Sequence, residues 1–464
     1  MTTAPQSPPP SARPRSAGPT ASSIADRRVM AVVTALLISI TVLQRFGLPL
    51  GPVQLSVSVL VALGGIGYLL FHGDAVENSG ATRVFAAAMA VCFLVAGIVL
   101  LRDRTGNITS LVYLPVIWVV FCFRLHPARF HLYPRVLDRF EKIMVAFAAI
   151  GVLQTAAQAA GVWSYRDFVL DLVPAELLFT GYNTSYPIEY GSPIIKANGF
   201  VFLEPSVYAQ FLAMALLSVL VRRASPVRAG VLGIALVCTI SGTGLLFAGF
   251  GIAVLAVRRG GRWTARIVAA AALAGAVALA TPFGEIIASR MGETSQTNSS
   301  GSLRFVQPYQ RIVDTWGADP FSVLIGDGAG RADELADRIF RATGLPINFS
   351  GVAKLLLEYG VVGAVLFGAF VALALVARAP APTLAWSGVF ANAFLTGALL
   401  QPQVLYLLVP LSSLFIGLRF ESQLDEERRA RPRRSPRPAH DAGQRLGEVP
   451  VTVVPARPNG LERS

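Results

Sequence analysis

The feature that most constrains this chain is a succession of apolar blocks, each about 15 to 25 residues long, set apart by short polar or basic segments. A hydrocarbon core some 30 Å thick is crossed by about 20 helical residues at 1.5 Å each, so blocks of this length read as transmembrane helices. Only 14% of the residues are charged, against roughly 25% in a soluble domain, and the mean hydropathy is +0.57. A water-soluble surface for 464 residues cannot be built from that supply. The chain is therefore expected to be all-α and polytopic, with about twelve spans near 29–45, 53–71, 83–101, 109–123, 142–161, 205–221, 229–241, 244–257, 264–281, 351–377, 383–400 and 404–418. Ser241-Gly242-Thr243-Gly244 marks either a tight turn between two short spans or a break in one long helix.

Basic residues are retained on the cytoplasmic side of membranes. With the N-terminus inside, the inner segments carry Arg27 and Arg28, then Arg124, Arg129, Arg135, Arg139 and Lys142, then Arg222, Arg223 and Arg228, then Arg258, Arg259, Arg262 and Arg266. Arg102 and Arg104 are the exception and fall outside. This balance predicts two cytoplasmic termini and favours two short spans over one long helix in 229–257. It also accounts for the formal net charge of +13 without nucleic acid, because a nucleic-acid binder gathers its cations on one exposed face. Residues 1–28, rich in Pro, Ser, Thr and Ala and without the apolar core of a signal peptide, read as a disordered cytoplasmic leader. Residues 419–464 read as a disordered Arg- and Pro-rich cytoplasmic tail, with either an attraction to anionic headgroups or a purely topogenic role. The domain between, 29–418, is interrupted by two long external loops, about 162–204 and 282–350. In the second, Ser302 to Phe340 has the pattern of short amphipathic helices.

Soluble-enzyme signatures are missing: there is no Walker-type phosphate loop and no His-Glu-x-x-His helix, and Cys92, Cys122 and Cys238 all lie inside apolar blocks. The chain is expected to need no metal and no cofactor. What remains is a set of polar residues at the external mouth. Lys196-Ala-Asn-Gly-Phe-Val-Phe-Leu-Glu204-Pro205-Ser206 leads into a span, with Pro205 suited to a first helical turn and Glu204 to either capping it or acting as a general base. In the second loop Arg304 and Arg311 are seven apart and share a face if the segment is one helix. Arg331 follows Gly326-Asp327-Gly328-Ala329-Gly330. Guanidinium groups with a Gly-rich turn suit a pyrophosphate; the alternative is a turn with headgroup-facing arginines. Lys354 and Glu358, one turn apart at the start of a span, are either a functional pair or an i,i+4 structural one.

Taken in order, these landmarks resemble the O-antigen ligase and O-antigen polymerase superfamily of bacterial membrane glycosyltransferases. The matching features are Gly199-Phe-Val-Phe-Leu-Glu204-Pro205-Ser206 before a span, the small-residue break Ser241 to Gly244, the Arg-bearing loop from Arg304 through Trp316 to Gly326–Gly330, and Leu357-Glu358-Tyr359-Gly360-Val-Val-Gly363. The ligase branch places a histidine and a polar residue where this chain has Phe349 and Ser350, and an arginine within the break where this chain has Gly242 and Thr243. Both departures favour the polymerase branch.

The resemblance implies a GT-C-like bundle that transfers a glycan from a polyprenyl-diphosphate carrier to an acceptor sugar at the outer face of the bacterial cytoplasmic membrane, for exopolysaccharide, capsule or O-antigen-type polymer. It implies membrane lipids and other polysaccharide-assembly proteins as partners. On that reading Arg304 stabilises the leaving diphosphate, Glu204 is the base, and Lys196, Arg311, Asp327, Arg331 and Glu358 bind substrate. The rivals are an O-antigen-ligase-like transferase, a polymerase of peptidoglycan precursors, and a flippase for lipid-linked oligosaccharides. A flippase places ionisable residues near the bilayer midplane, whereas here they gather at the rim.

Overall fold

The computed structural model of the chain describes residues 21–50, 53–103, 106–179, 181–189, 191–261, 265, 269, 300–417 and 420–430. They belong to a large unit, Met1–Glu421, and a small one, Ser422–Ser464; in the small unit the described residues are helical. The large unit opens with α1 (Ala21–Thr41), α2 (Val57–Phe71), α3 (Ser79–Asp103), α4 (Ile108–Trp118) and α5 (Tyr133–Ala159). A loop region holding the short α6 (Phe168–Leu172) leads to α7 (Pro205–Arg222), α8 (Pro226–Cys238) and α9 (Gly242–Arg259). Next come α10 (Ser300–Phe305), α11 (Gln307–Ala318), α12 (Ser322–Ile325) and α13 (Arg331–Thr343), then α14 (Gly351–Val371), α15 (Pro382–Phe390) and α16 (Pro402–Leu405). Two antiparallel ribbons, β1 (Gly47–Leu50) with β2 (Val53–Ser56) and β3 (Ala75–Glu77) with β4 (Phe123–Leu125), tie helix ends together.

Four of the described helices are long and apolar enough to cross a bilayer: Ser79–Arg102, Pro205–Arg222, Gly242–Arg259 and Gly351–Val376. Val57–Phe71, Ile108–Cys122 and Pro226–Cys238 are apolar but shorter. Among the described residues the apolar blocks are thus less uniform than their hydropathy. The block at 53–71 begins as a strand, β2, before α2. The blocks at 383–400 and 404–418 are broken by π-helical turns at Ala391–Leu395 and Val409–Ser413. Pro402 and Pro410 withhold donors that a continuous helix there needs. The block at 264–281 lies outside the described residues.

α7 is the centre of one cluster of helices. Pro205 fills its first turn, where a missing N–H costs nothing, and nearly every side chain from Val207 to Val221 is buried, so α7 has protein on all sides. It packs against α5, α8, α9 and α15. Gly151 of α5 makes room for the Tyr208 ring, whose hydroxyl donates to the Phe147 carbonyl at 2.7 Å. Residues 226–259 form two helices, as the basic-residue balance favoured. Ile240 has φ 45° and Ser241 is extended, which reverses the chain. α8 and α9 then diverge along different sides of α7, with Arg259 donating to the Leu220 and Val221 carbonyls at 2.9 and 2.5 Å.

Charged residues collect on two opposite rims. One holds Arg28–Asp74 (2.8 Å), Arg129–Asp26 (2.9 Å), Arg222–Glu141 (2.9 Å), Arg228–Asp138 (2.9 Å) and Arg258–Glu421 (3.0 Å). The other holds Arg45–Asp167 (2.8 Å) and Arg102–Asp319 (2.5 Å). Described cations assigned to inner segments thus share one rim, and the described ion pairs of the two long loops lie on the other.

Candidate functional site

The segment before α7 is built by an asparagine. Asn198, fully buried, donates to the Tyr165 hydroxyl (2.7 Å) and the Thr184 carbonyl (2.8 Å), while its Oδ1 accepts the Phe200 N–H at 2.9 Å. That Asx turn allows Gly199 and Phe200 to take consecutive positive φ values of 62° and 63°, which swings the chain into Phe202, Leu203 and the extended Glu204. A second clamp comes from the turn that follows α1: Arg45 meets Asp167 through both guanidinium nitrogens, at 2.8 and 2.9 Å, and also donates to the Phe200 carbonyl at 3.1 Å. Thr184 gives its hydroxyl proton to the same carboxylate at 2.5 Å. Burial works to raise the Asp167 pKa, but the Arg45 and Thr184 hydrogen bonds outweigh it and hold the carboxyl below the usual aspartate range.

Glu204 sits at the N-cap of α7 without capping it; its carboxylate accepts the Ser206 hydroxyl. Tyr182 stands near: burial first, then the negative charge of Glu204 and the phenol of Tyr113, push its hydroxyl well above the ordinary tyrosine value. Tyr182 is thus a neutral hydroxyl in the vicinity of the Glu204 carboxylate. Lys196 is half-buried in the same loop, its N–H bonded to the Tyr186 carbonyl at 2.9 Å and its carbonyl receiving Gln154 of α5 at 3.4 Å.

Arg304 reaches the break between α8 and α9. Its guanidinium donates to the Thr243 hydroxyl at 3.4 Å, and among the described residues no carboxylate pairs with it. The next residue, Gly244, is pressed against Ala209, about one turn along α7 from Glu204, so closely that a Cβ would lie 2.4 Å from the alanine side chain. Arg304 and Glu204 are therefore brought to one corner of the rim. Arg304 thus brings a guanidinium to a break whose own residues are Gly242 and Thr243. Arg311 is not part of this corner. The chain leaves helical geometry at Val306 (φ −115°, ψ −60°), just before Pro308, so 304 and 311 do not share a helix face. Arg311 is exposed and pairs with Asp314 at 3.5 Å.

The Gly326–Gly330 turn is engaged with the protein itself. The Asp327 N–H bonds to the Leu357 carbonyl (2.8 Å), Gly328 N–H to the Glu358 carbonyl (3.0 Å), and Ala332 N–H to the Glu358 carboxylate (3.3 Å). The Asp327 and Gly328 donors are thus taken by main-chain carbonyls and Ala332 by the Glu358 carboxylate, itself 1% exposed; a pyrophosphate would have to displace these acceptors. Lys354 lies 3.8 Å from Glu358 and 2.6 Å from Asp333, so the i,i+4 pair is present, with the buried lysine linking buried Glu358 to the exposed Asp333. Arg331, half-buried at the start of α13, is held by Glu334 at 2.8 Å. The short helices expected in this loop are present, and they pack Leu303, Ile312, Ala332, Ile347 and Phe349 against Ala353 and Leu357 of α14. Phe349 is core and Ser350 caps α14, its Oγ accepting the Ala353 N–H at 3.4 Å; neither supplies acid–base chemistry where the ligase pattern has its histidine.

Sequence reading missed Tyr182, Asn198 and the Arg45–Asp167 clamp. Asn198 was detectable, since an Asn-Gly pair before a proline-started helix is a turn signal. The clamp joins residues 122 apart in the chain, and no local pattern announces it. The arrangement offers a cation with no carboxylate partner among the described residues, and a carboxylate at the same corner, which suits transfer from an anionic leaving group to a hydroxyl nucleophile. A family model described as WcaD colanic acid polymerase matches residues 32–415, from within α1 to the end of the last π-helical turn. No curated protein matches the chain.

Proposed function

The chain belongs to the WcaD colanic acid polymerase family, and from that premise we propose that it elongates a polysaccharide by moving a glycan from a polyprenyl-diphosphate carrier to an acceptor sugar at the outer face of the bacterial cytoplasmic membrane. The acceptor hydroxyl attacks the anomeric carbon of the donor glycan. A glycosidic C–O bond forms as the C–O bond to the carrier diphosphate breaks, and the hydroxyl proton passes to Glu204. The diphosphate leaves with an added negative charge, which Arg304 meets, with Lys196 and Arg311 as further cations along its approach. Tyr182, a neutral donor beside Glu204, is suited to orienting the carboxylate or the acceptor. Arginine supplies the charge compensation, so the reading needs no metal ion. A GT-C-like bundle of about twelve spans with both termini cytoplasmic completes it.

One observation supports this reading: a half-buried arginine whose partner among the described residues is a neutral hydroxyl at 3.4 Å, at the same corner as the carboxylate that opens α7. A cation with no carboxylate partner among the described residues is positioned for a ligand's charge. The test is to delete the gene, size the surface polysaccharide, and complement with wild type, Arg304→Ala and Glu204→Gln at matched protein levels. The expected result is single repeat units in the deletion strain, long chains with wild type, and short chains with either variant. Normal chain lengths in the deletion strain, or full activity of Arg304→Ala, would overturn the proposal.

A further inference from the structure

On the rim opposite Arg304 a cleft of about 640 Å³ opens between α1 and the start of α5. Arg135, Arg139 and Lys142 line it from successive turns of one face of α5, and Arg222 joins them from the end of α7. A single carboxylate, Asp138, is among the lining groups, and it is already held by Lys142 at 2.7 Å and Arg228 at 2.9 Å. Glu141, buried behind it, takes Arg222 at 2.9 Å and Arg228 at 3.2 Å.

Four lining cations thus face one lining carboxylate, and the two outermost have no acidic partner among the described residues. Arg139 donates to the Thr34 hydroxyl of α1. Arg135 is exposed and makes no hydrogen bond or ion pair among the described residues. Like charges one turn apart repel unless an anion lies between them, so the folded chain keeps a place where an anion is favoured. The remaining wall is apolar, from Met30 and Pro134, and α1 exposes Ile38 about two turns beyond Met30.

We propose that this cleft binds the headgroup phosphate of an anionic phospholipid, with the guanidiniums of Arg135 and Arg139 on the phosphate oxygens and the glycerol and first acyl carbons along Met30 and Pro134. A free phosphate satisfies the cations but leaves the apolar ledge unused; a phosphodiester carrying acyl chains satisfies both. The site lies at the end of the helix bundle away from Glu204 and Arg304, and it stands whether or not the donor binds as proposed.

The test is lipid binding by the full chain in detergent, read by native mass spectrometry with phosphatidylglycerol and phosphatidylcholine as probes. Phosphatidylglycerol is expected to bind about tenfold more tightly, and Arg135→Gln or Arg139→Gln to weaken it about fivefold each. Arg135→Gln removes a charge and no contact, so it reports on binding without disturbing the fold. Arg83→Gln, on the same rim but outside the cleft, is expected to change nothing, and millimolar inorganic phosphate to displace little of the lipid. Equal binding of the two lipids, an equal effect of Arg83→Gln, or displacement by inorganic phosphate would overturn the proposal, the last identifying a free-phosphate site.

Discussion

Gly360 shows how a single residue fixes the geometry of the second loop. Its φ of 62° and ψ of −169° interrupt α14 in a region of backbone space that only glycine occupies freely. A Cβ there would stand 2.3 Å from the Leu324 carbonyl oxygen, and one on Gly326 would stand 2.5 Å from the backbone of Glu358. The two glycines face each other across a backbone-to-backbone contact that presents the Glu358 carboxylate to Ala332. Gly360→Ala combines strain with overpacking against backbone that cannot yield, and is expected to cost ~3 kcal/mol or more. Thermal unfolding of the detergent-purified protein checks this; an unchanged midpoint would mean that α14 re-forms as a continuous helix. At Arg304 the expectation concerns rate. Alanine removes transition-state charge compensation and is expected to lower polymerisation about 100- to 1,000-fold. Lysine keeps the charge but loses the planar fork, and is expected to fall between. Turnover of a lipid-linked repeat unit in vesicles distinguishes the three. Both residues lie in short motifs readable along the chain, because turn chemistry and cation placement are local. The Lys354 partner of Glu358 was readable as an i,i+4 pair, but Ala332 was not: it is 26 positions away, and only the folded turn brings its N–H to the carboxylate.

At the scale of elements, the loop that ends in Glu204 owes its shape to the clamp from the turn that follows α1. Arg45 and Asp167 are 6% and 8% exposed at the side chain, so breaking the pair leaves an uncompensated buried charge, typically worth 3–5 kcal/mol. The folded pKa of Asp167 is depressed, so its contribution is complete above the ordinary aspartate range and disappears as pH falls through the lower folded value. Asp167→Asn is therefore expected to melt well below wild type at neutral pH, with the gap closing as pH drops past the carboxylate range. A gap that persists undiminished at low pH would show that the aspartate's charge is not what anchors the loop. The location of this loop was evident from the interval between apolar blocks, and so was the helical character of 302–340. The shared face of Arg304 and Arg311 was not a sound expectation, because Pro308 opens a new helix at Gln307 and spacing arguments hold only within one continuous helix. Periodicity reports what a segment does if unbroken; prolines and π-helical turns decide where it is broken.

Across the whole molecule, the two charged rims turn a statistical rule into a geometric one. Arg28, Arg129, Arg222, Arg228 and Arg258 sit far apart in sequence, yet each finds a carboxylate on the same rim, while Arg45 and Arg102 find theirs on the other. Arg102, the one cation of the described residues that ran against the inside assignment, is thereby explained: its partner Asp319 belongs to the opposite loop, and its guanidinium lies over Phe321. The cation excess of the first rim is what membranes retain on the cytoplasmic side, and the diphosphate-handling role proposed for the Arg304 corner needs the other. A reporter active only outside the cytoplasm, fused after Ala224 between α7 and α8, is expected to be silent, and one fused after Gly317 to be active. The pair must differ, because Arg222 and Asp319 lie on opposite rims whichever way the protein is inserted. If the signs are reversed, the fold survives but Arg304 faces the cytoplasm, where a glycan already delivered to the outer leaflet cannot reach it.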